Sequence, residues 1–214
     1  MKRVLILLLA LVAGLILWWP LRLALPPGLV AAQVDGRLWQ GRISDARLGG
    51  VALGDVELGL AGGDLLRGRL AWRLQGTRVA GLAWRSFAGL GADQLDARLD
   101  LAGASPLPLG EAGISGLSIA MAGGRCTAAQ GSVVVATAVP GGPLQGALAC
   151  RDGALLLPLV SADGRNKLDV SLQHGRWRAQ VALGGIAADQ RAAYQAAGFA
   201  LADGALTRTL EGTW

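Results

Sequence analysis

From Leu66 onward the even positions read Leu66, Gly68, Leu70, Trp72 and Leu74, while the odd positions read Arg67, Arg69, Ala71, Arg73 and Gln75. One side of the segment is apolar and the other basic and polar. A period of two marks a half-buried strand of an antiparallel sheet, because successive side chains leave the pleat on opposite faces. The pattern returns at Val56, Leu58 and Leu60, and again at Leu95, Ala97, Leu99 and Leu101 against Asp96, Arg98 and Asp100. It recurs at Leu117, Ile119 and Met121, at Leu168, Val170 and Leu172, and at Trp177, Ala179, Val181 and Leu183. Turn chemistry separates the runs: Gly62 to Asp64, Gly103 to Gly110, Pro140 to Pro143 and Ala162 to Gly164. His174-Gly175 sits between two alternating runs and predicts a tight hairpin. One segment breaks the period: Ala187 to Gly198 is alanine-rich and predicts a short helix ended by Gly198, before a last strand over Ala205 to Trp214. The expected fold is mainly β, an antiparallel meander of about ten strands. It is either a curved open sheet or a partly closed barrel, with one short helix near the C-terminus.

The first 25 residues follow a different rule. Lys2 and Arg3 precede an unbroken apolar run from Val4 to Trp19. Sixteen residues at a helical rise span roughly 24 Å, a little less than the ~30 Å hydrocarbon core. Lys2 and Arg3 can snorkel at one end, and Leu21 to Leu25 extend the run past Pro20. Trp18 and Trp19 suit the far interface. A cleaved signal peptide is the competing reading, but the run ends in Trp18, Trp19, Pro20, Leu21 and Arg22, which are bulky where a cleavage site needs small residues. The expectation is an uncleaved, single-pass transmembrane helix in the inner membrane. The chain then divides into a cytoplasmic stub and anchor over residues 1–25 and a periplasmic β domain over residues 26–214.

Composition narrows the classes. Hydrophobic residues make up 52% and charged residues 16%, which excludes a disordered chain, and the 33 glycines have no three-residue period, which excludes collagen. The net charge of +5 is spread along the chain, as on a solvated face, and gives no nucleic-acid patch. Two cysteines, Cys126 and Cys150, lie in the part expected to face an oxidising compartment, so a disulfide is expected over two free buried thiols.

Candidate chemistry is sparse. The single histidine, His174, falls in the expected hairpin turn, and any Ser-His-Asp arrangement would depend on it. The glutamates Glu57, Glu111 and Glu211 are far apart, and the aspartates fall mostly in turns or on polar strand faces, where carboxylates bond nearby backbone. No phosphate-binding loop, GxGxxG, GxSxG or CxxC motif is present. No catalytic residue, metal ligand or cofactor is expected. Trp39, Trp72, Trp84 and Trp177 sit on strands or at their ends, where core packing is the expectation and an apolar groove for lipid or peptide the alternative.

"VDGRLWQG" follows the leader directly. Leu38 and Trp39 are adjacent, so on a strand they face opposite sides, and Gly36 and Gly41 bracket them where the chain bends or a neighbour comes close. This segment reads as the first strand after the membrane, with Trp39 anchoring one face.

At these residues, Val34, Gly36, Leu38, Trp39 and Gly41, the chain resembles the type II secretion system protein N family, also called general secretion pathway protein N. The likeness continues through Leu65, Leu66, Gly68, Leu70 and Trp72, then Cys150 to Leu159, and the closing Leu210 to Trp214. The resemblance implies a β domain tethered to the inner membrane, a non-enzymatic accessory part of the apparatus that moves folded proteins across the outer membrane. The implied partners are other secretion-system proteins, either inner-membrane platform proteins or the outer-membrane secretin. The family supplies no catalytic residues to carry over. The second reading is an AsmA-like envelope protein that holds or transfers lipid in an apolar β groove, since the same alternation serves both.

Overall fold

The alternating runs are realised as ladders in a computed structural model, which describes Trp18 and residues 20–23, 28–37, 39–48, 51–102, 109–202 and 204–213. Lys2, Arg3, Trp19 and Leu38 lie outside the described residues, as does nearly all of the expected anchor. No described helix is long and apolar enough to cross a membrane, which says nothing of a β-barrel.

The strands are β1 (Leu29–Val30), β2 (Gln33–Arg37), β3 (Gln40–Leu48), β4 (Val51–Leu60), β5 (Arg69–Gly76), β6 (Val79–Ser86), β7 (Leu90–Asp100) and β8 (Leu109–Ala122). They continue as β9 (Arg125–Thr137), β10 (Leu144–Ala147), β11 (Ala149–Arg151), β12 (Ala154–Ser161), β13 (Lys167–Gln173), β14 (Arg176–Leu183), β15 (Ala200–Ala202) and β16 (Ala205–Thr213). All belong to one 16-stranded antiparallel sheet, in the order β1-β3-β4-β5-β6-β7-β8-β9-β10-β12-β13-β14-β16-β15. β2 also pairs with β3, and β11 with β12, so each end of the chain order keeps nearest neighbours together. The meander is as expected. The strand count is higher because short pieces such as β1, β10, β11 and β15 are too brief to show a period.

Registry places the apolar positions in rows. Val34 faces Ile43, which faces Val56, while Leu159 faces Leu168 and Leu168 faces Val181. These rows form two packed clusters. One is built on Leu21, Ile43, Ala46, Val56, Val79 and Ala97; the other centres on residues such as Val135, Leu144, Leu159, Leu168, Val181 and Leu206. Leu99 and Ile114 pack against both and so join the two halves.

Register shifts in the ladders β3–β4, β6–β7, β7–β8 and β8–β9 give the sheet its curl, since an extra residue bends a strand and increases its twist. Polar side chains on the outer face take up amides freed there. The Asp45 amide donates to the Asp55 carboxylate at 2.9 Å, the Gly116 amide to Asp96 at 2.7 Å, and the Gln94 amide to Ser118 Oγ at 3.0 Å. The carboxylates therefore bond backbone as the sequence suggested, across strands at bulges here, and within turns at Asp100 and Asp163, which accept the Ala102 and Arg165 amides.

Among the described residues two α-helices accompany the sheet. The segment Gly62 to Asp64, expected as a turn, begins the short helix α1 (Gly62–Leu65), and Leu66 after it is 94% exposed, not on the strand's buried face. The strand starts only at Arg69, and Ala71 on the supposed polar face is fully buried. The expected C-terminal helix is α2 (Ala188–Ala196). Tyr194 meets Phe199 edge-on, and Phe199 is buried with Ile186 and Leu206 beneath the edge of the sheet.

Cys126 and Cys150 are joined, tying β9 to β11. The bridge closes a loop of 24 residues in sequence separation. Substituting both cysteines with alanine should lower the stability by roughly 3 kcal/mol, the order expected for a loop of this length. Urea unfolding checks this, and the same loss should follow reductant on the native chain.

The buried Asn166 donates to the Pro140 carbonyl and accepts from the Gly184 amide, pinning the loops at one end of the sheet. Beside it, hydrogen bonds from Ser161 Oγ at 2.6 Å and from the Arg165 amide at 3.1 Å hold the Asp163 carboxyl below its ordinary value of 3.8. A depressed carboxyl stabilises the fold above its unfolded pKa, and that contribution is lost as pH falls through the lower, folded value. Asp163→Asn should therefore flatten part of the acid limb of the stability curve below pH 3.8, as read by the urea midpoint against pH.

Candidate functional site

The opening stretch is a hairpin, not one strand. Arg37 pairs with Gln40, so positions 38 and 39 connect β2 to β3, and the Trp39 carbonyl accepts the Leu60 amide at 2.9 Å. This corrects the reading of Leu38 and Trp39 as opposite faces of a strand: the backbone reverses at that point. Gly36 explains how. Its φ is +96°, and a Cβ there would lie 2.5 Å from the Gln40 carbonyl oxygen, so no other residue fits without strain.

Gly41 has a different reason. A Cβ on it would run into the Leu21 side chain, which is itself buried, and would come within 2.8 Å of the Asp35 carbonyl oxygen. Leu21 lies in a 3-10 turn, Leu21–Leu23, directly after the apolar leader. Pro20 makes a β-bridge with Arg37, and the Arg37 guanidinium lies 4.4 Å over the Trp18 ring. The missing side chain at Gly41 is thus the seat through which the end of the leader packs onto the first hairpin. Val34 lies on the same buried side, opposite Ile43.

The outer side of this hairpin forms a groove of about 600 Å³. Gly59 stands between Gln40 and Arg73 in the cross-strand row and leaves a trough where they would otherwise have a neighbour. Trp39 closes one end, and the Arg42–Glu57 ion pair crosses beside it. The lining is charged and polar, with Asp35, Gln40, Arg42, Glu57, Arg73 and Gln75 around Gly59.

The far end of the sheet carries a second groove, about 840 Å³, lined by His174, Trp177 and Thr213 and by the Arg178–Glu211 ion pair at 2.7 Å. Beside it, β15 pairs only with Ala205 to Thr207 of β16. Among the described residues no strand covers the outer side of Arg208 to Thr213. Trp177 lies opposite Gly212, where a Cβ would approach its Nε1 to 2.5 Å, and Trp84 lies opposite Gly91 in the same relation. Both tryptophans thus roof a glycine on the neighbouring strand, a device that covers bare sheet backbone with aromatic surface. Trp177 packs against the larger core cluster while also lining the groove, whereas Trp84 lies outside both clusters with the Arg69 guanidinium 5.2 Å over its ring. Trp72, half-buried on β5, faces Leu60 and Ala83. Gly68, at φ +70°, closes the turn after α1, its amide donating to the Leu65 carbonyl.

His174 and Gly175, at φ 49° and 75°, form the expected two-residue hairpin turn. The His174 amide reaches the Gly124 carbonyl at 3.4 Å, so adjacent hairpin tips touch. Among the described residues there is no group of three or more His, Cys, Asp or Glu able to hold a metal ion. The arrangement offers surfaces: grooves with paired charges, a free strand edge, and a leader seated on the first hairpin. The family model described as Type II secretion system (T2SS), protein N, matches residues 27–208. No curated protein matches the chain, and no solved structure does.

The seat makes a prediction. Gly41→Val should evict Leu21 and cost about 1–3 kcal/mol, as overpacking does, while Gly59→Val, where nothing lies within 4 Å, should be nearly neutral by the same thermal unfolding measurement.

Proposed function

Because the chain belongs to the type II secretion system protein N family, we propose that it serves type II protein secretion as a non-enzymatic accessory component, a scaffold tethered to the inner membrane that binds other secretion-system proteins. The observation that carries this is the family match over residues 27–208, which covers the whole sheet through Arg208. The geometry supports a binding role. The uncovered side of β16 presents backbone donors and acceptors to an incoming strand, and the groove beside it offers Trp177 and the Arg178–Glu211 pair as selective contacts. A tether confines the scaffold to the membrane plane and raises its effective concentration near membrane-bound partners. The apolar run Val4 to Trp19 and the seating of Leu21 on the first hairpin support the tether.

Co-precipitation of the full chain from solubilised membranes tests the proposal. The expected result is recovery of a platform protein or the secretin, weakened when Trp177→Ala and Glu211→Lys are combined. Recovery of no secretion component would overturn it, and lipid retained by that same purified sample would then favour the lipid-holding reading.

A further inference from the structure

The hairpin tips at one rim of the sheet differ from those at the other. The Leu60 amide on the Trp39 carbonyl puts the first hairpin tip beside the end of β4, immediately before α1. The Arg69–Ser86 pair puts the α1–β5 connection beside the β6–β7 turn, and Leu90 pairs with Met121 just before the β8–β9 turn. Trp18, Pro20 and Leu21 meet the first of these tips. The leader and four successive connections therefore lie along one rim.

That rim exposes large apolar side chains. Leu66 is 94% exposed, Phe87 fully so, and Leu65 and Leu90 about half. They occupy two neighbouring turns, where water-facing residues are the norm and where no packing reason holds a leucine or phenylalanine outward. Arginines lie in or next to the connections of this rim: Arg22, Arg37, Arg67, Arg85 and Arg125. Of the acids at this rim, Asp64 is mostly covered and is bonded by Arg69 at 2.6 Å, with Arg67 at 3.7 Å, and Asp152 lies in the turn between β11 and β12, beside the Arg125 end of β9. The opposite rim mixes its charges, since Asp100, Asp163 and Asp189 interleave there with basic residues, and its exposed apolar side chains, Val30, Leu48 and Leu201, lie on strand ends and edge strands instead of hairpin tips.

We infer that this rim rests on a lipid bilayer carrying anionic headgroups, with Leu66 and Phe87 inserted at the acyl boundary and the arginines on the phosphates. Three observations choose a bilayer as the occupant. The apolar residues 4–19 lead directly into the rim through Trp18 and Leu21; the exposed apolar tips stand next to that entry; and the surplus charge around them is positive. Insertion of such tips reaches ~5–10 Å, far short of a span, and gains from anionic lipid. The sheet then stands with one rim on the membrane and its hairpin loops at the other rim held away from it. The inference rests on the tether reading for the place where the leader leaves the sheet, and it adds a second, peripheral contact that fixes orientation.

The full chain, reconstituted in vesicles of phosphatidylcholine and phosphatidylglycerol, tests it. A polarity-sensitive fluorophore is placed at Phe87→Cys or, as a control on the opposite rim, at Thr77→Cys, and nitroxide-bearing lipid is the quencher. The expected result is a blue shift and severalfold stronger quenching at position 87 than at position 77. Leu66→Glu, which leaves the fluorophore untouched, should reduce the quenching at 87. Arg67→Glu with Arg85→Glu should reduce it when phosphatidylglycerol is present. Equal quenching at 87 and 77, or quenching at 87 that ignores Leu66→Glu, overturns the rim contact. A later alkaline carbonate wash reads the tether separately: retention with no quenching at 87 overturns the rim alone, and quenching followed by loss in the wash overturns the tether alone.

Discussion

Register is the constraint on which the rest of this molecule depends. Side chains alternate between oil and water along nearly every strand, so a slip of one residue in β4 would turn Val56, Leu58 and Leu60 outward and Asp55 and Glu57 inward. In a sheet that runs through successive antiparallel neighbours, each strand inherits its setting from the one before. Two-residue turns such as His174-Gly175 fix the offset between adjacent strands. Bulges change it deliberately, and the cross-strand bonds from Asp55, Asp96 and Ser118 hold each bulge in one place. The Cys126–Cys150 bridge fastens β11 to β9 where β10 and β11 are interrupted at Leu148, so the weakest stretch of the ladder has a covalent staple.

What the sequence revealed follows from how far each signal reaches. Period-two alternation needs several residues, so β4, β7, β13 and β14 were legible, and so was the His174-Gly175 turn between two of them. The alanine-rich α2 was legible because its composition suits a helix and Gly198 ends it. Strands of two to four residues, such as β1 and β15, carry no period and exist only because a longer neighbour offers a ladder. The Leu66-to-Leu74 alternation misled at its start. A pattern cannot show that the chain makes a helical turn at Gly62 to Leu65 and enters the sheet only at Arg69.

The site was legible in part. Gly36 and Gly41 stood out as places of bend or close approach, and both are. Their different reasons were not readable. Gly36 answers to its own backbone conformation, whereas Gly41 answers to the Asp35 carbonyl across the hairpin and to Leu21, twenty residues earlier and on another element. The hairpin at Leu38 and Trp39 had no turn signal at all, because neither residue favours a turn. Its tip is fixed instead by the pairing of β2 with β3 and by the Leu60 amide on the Trp39 carbonyl. The free side of β16 was equally hidden, since an edge is defined by the absence of a neighbour and only topology can show it.

The glycines resolve the remaining physical problem, how a single sheet covers itself. A sheet ordinarily buries a face against a second layer of helices or strands. Here α1 and α2 are too short to form one. On the inner face, groups lying over glycine fill the gaps, Trp177 over Gly212 and Leu21 over Gly41, while on the outer face Trp84 lies over Gly91 beneath the Arg69 guanidinium. Aromatic rings and the leader thus take the place of a second layer. Among the described residues this solution leaves the outer face largely polar and the far side of β16 without a neighbouring strand. An interaction surface is then not an addition to the fold but what remains once a lone sheet has satisfied its own core.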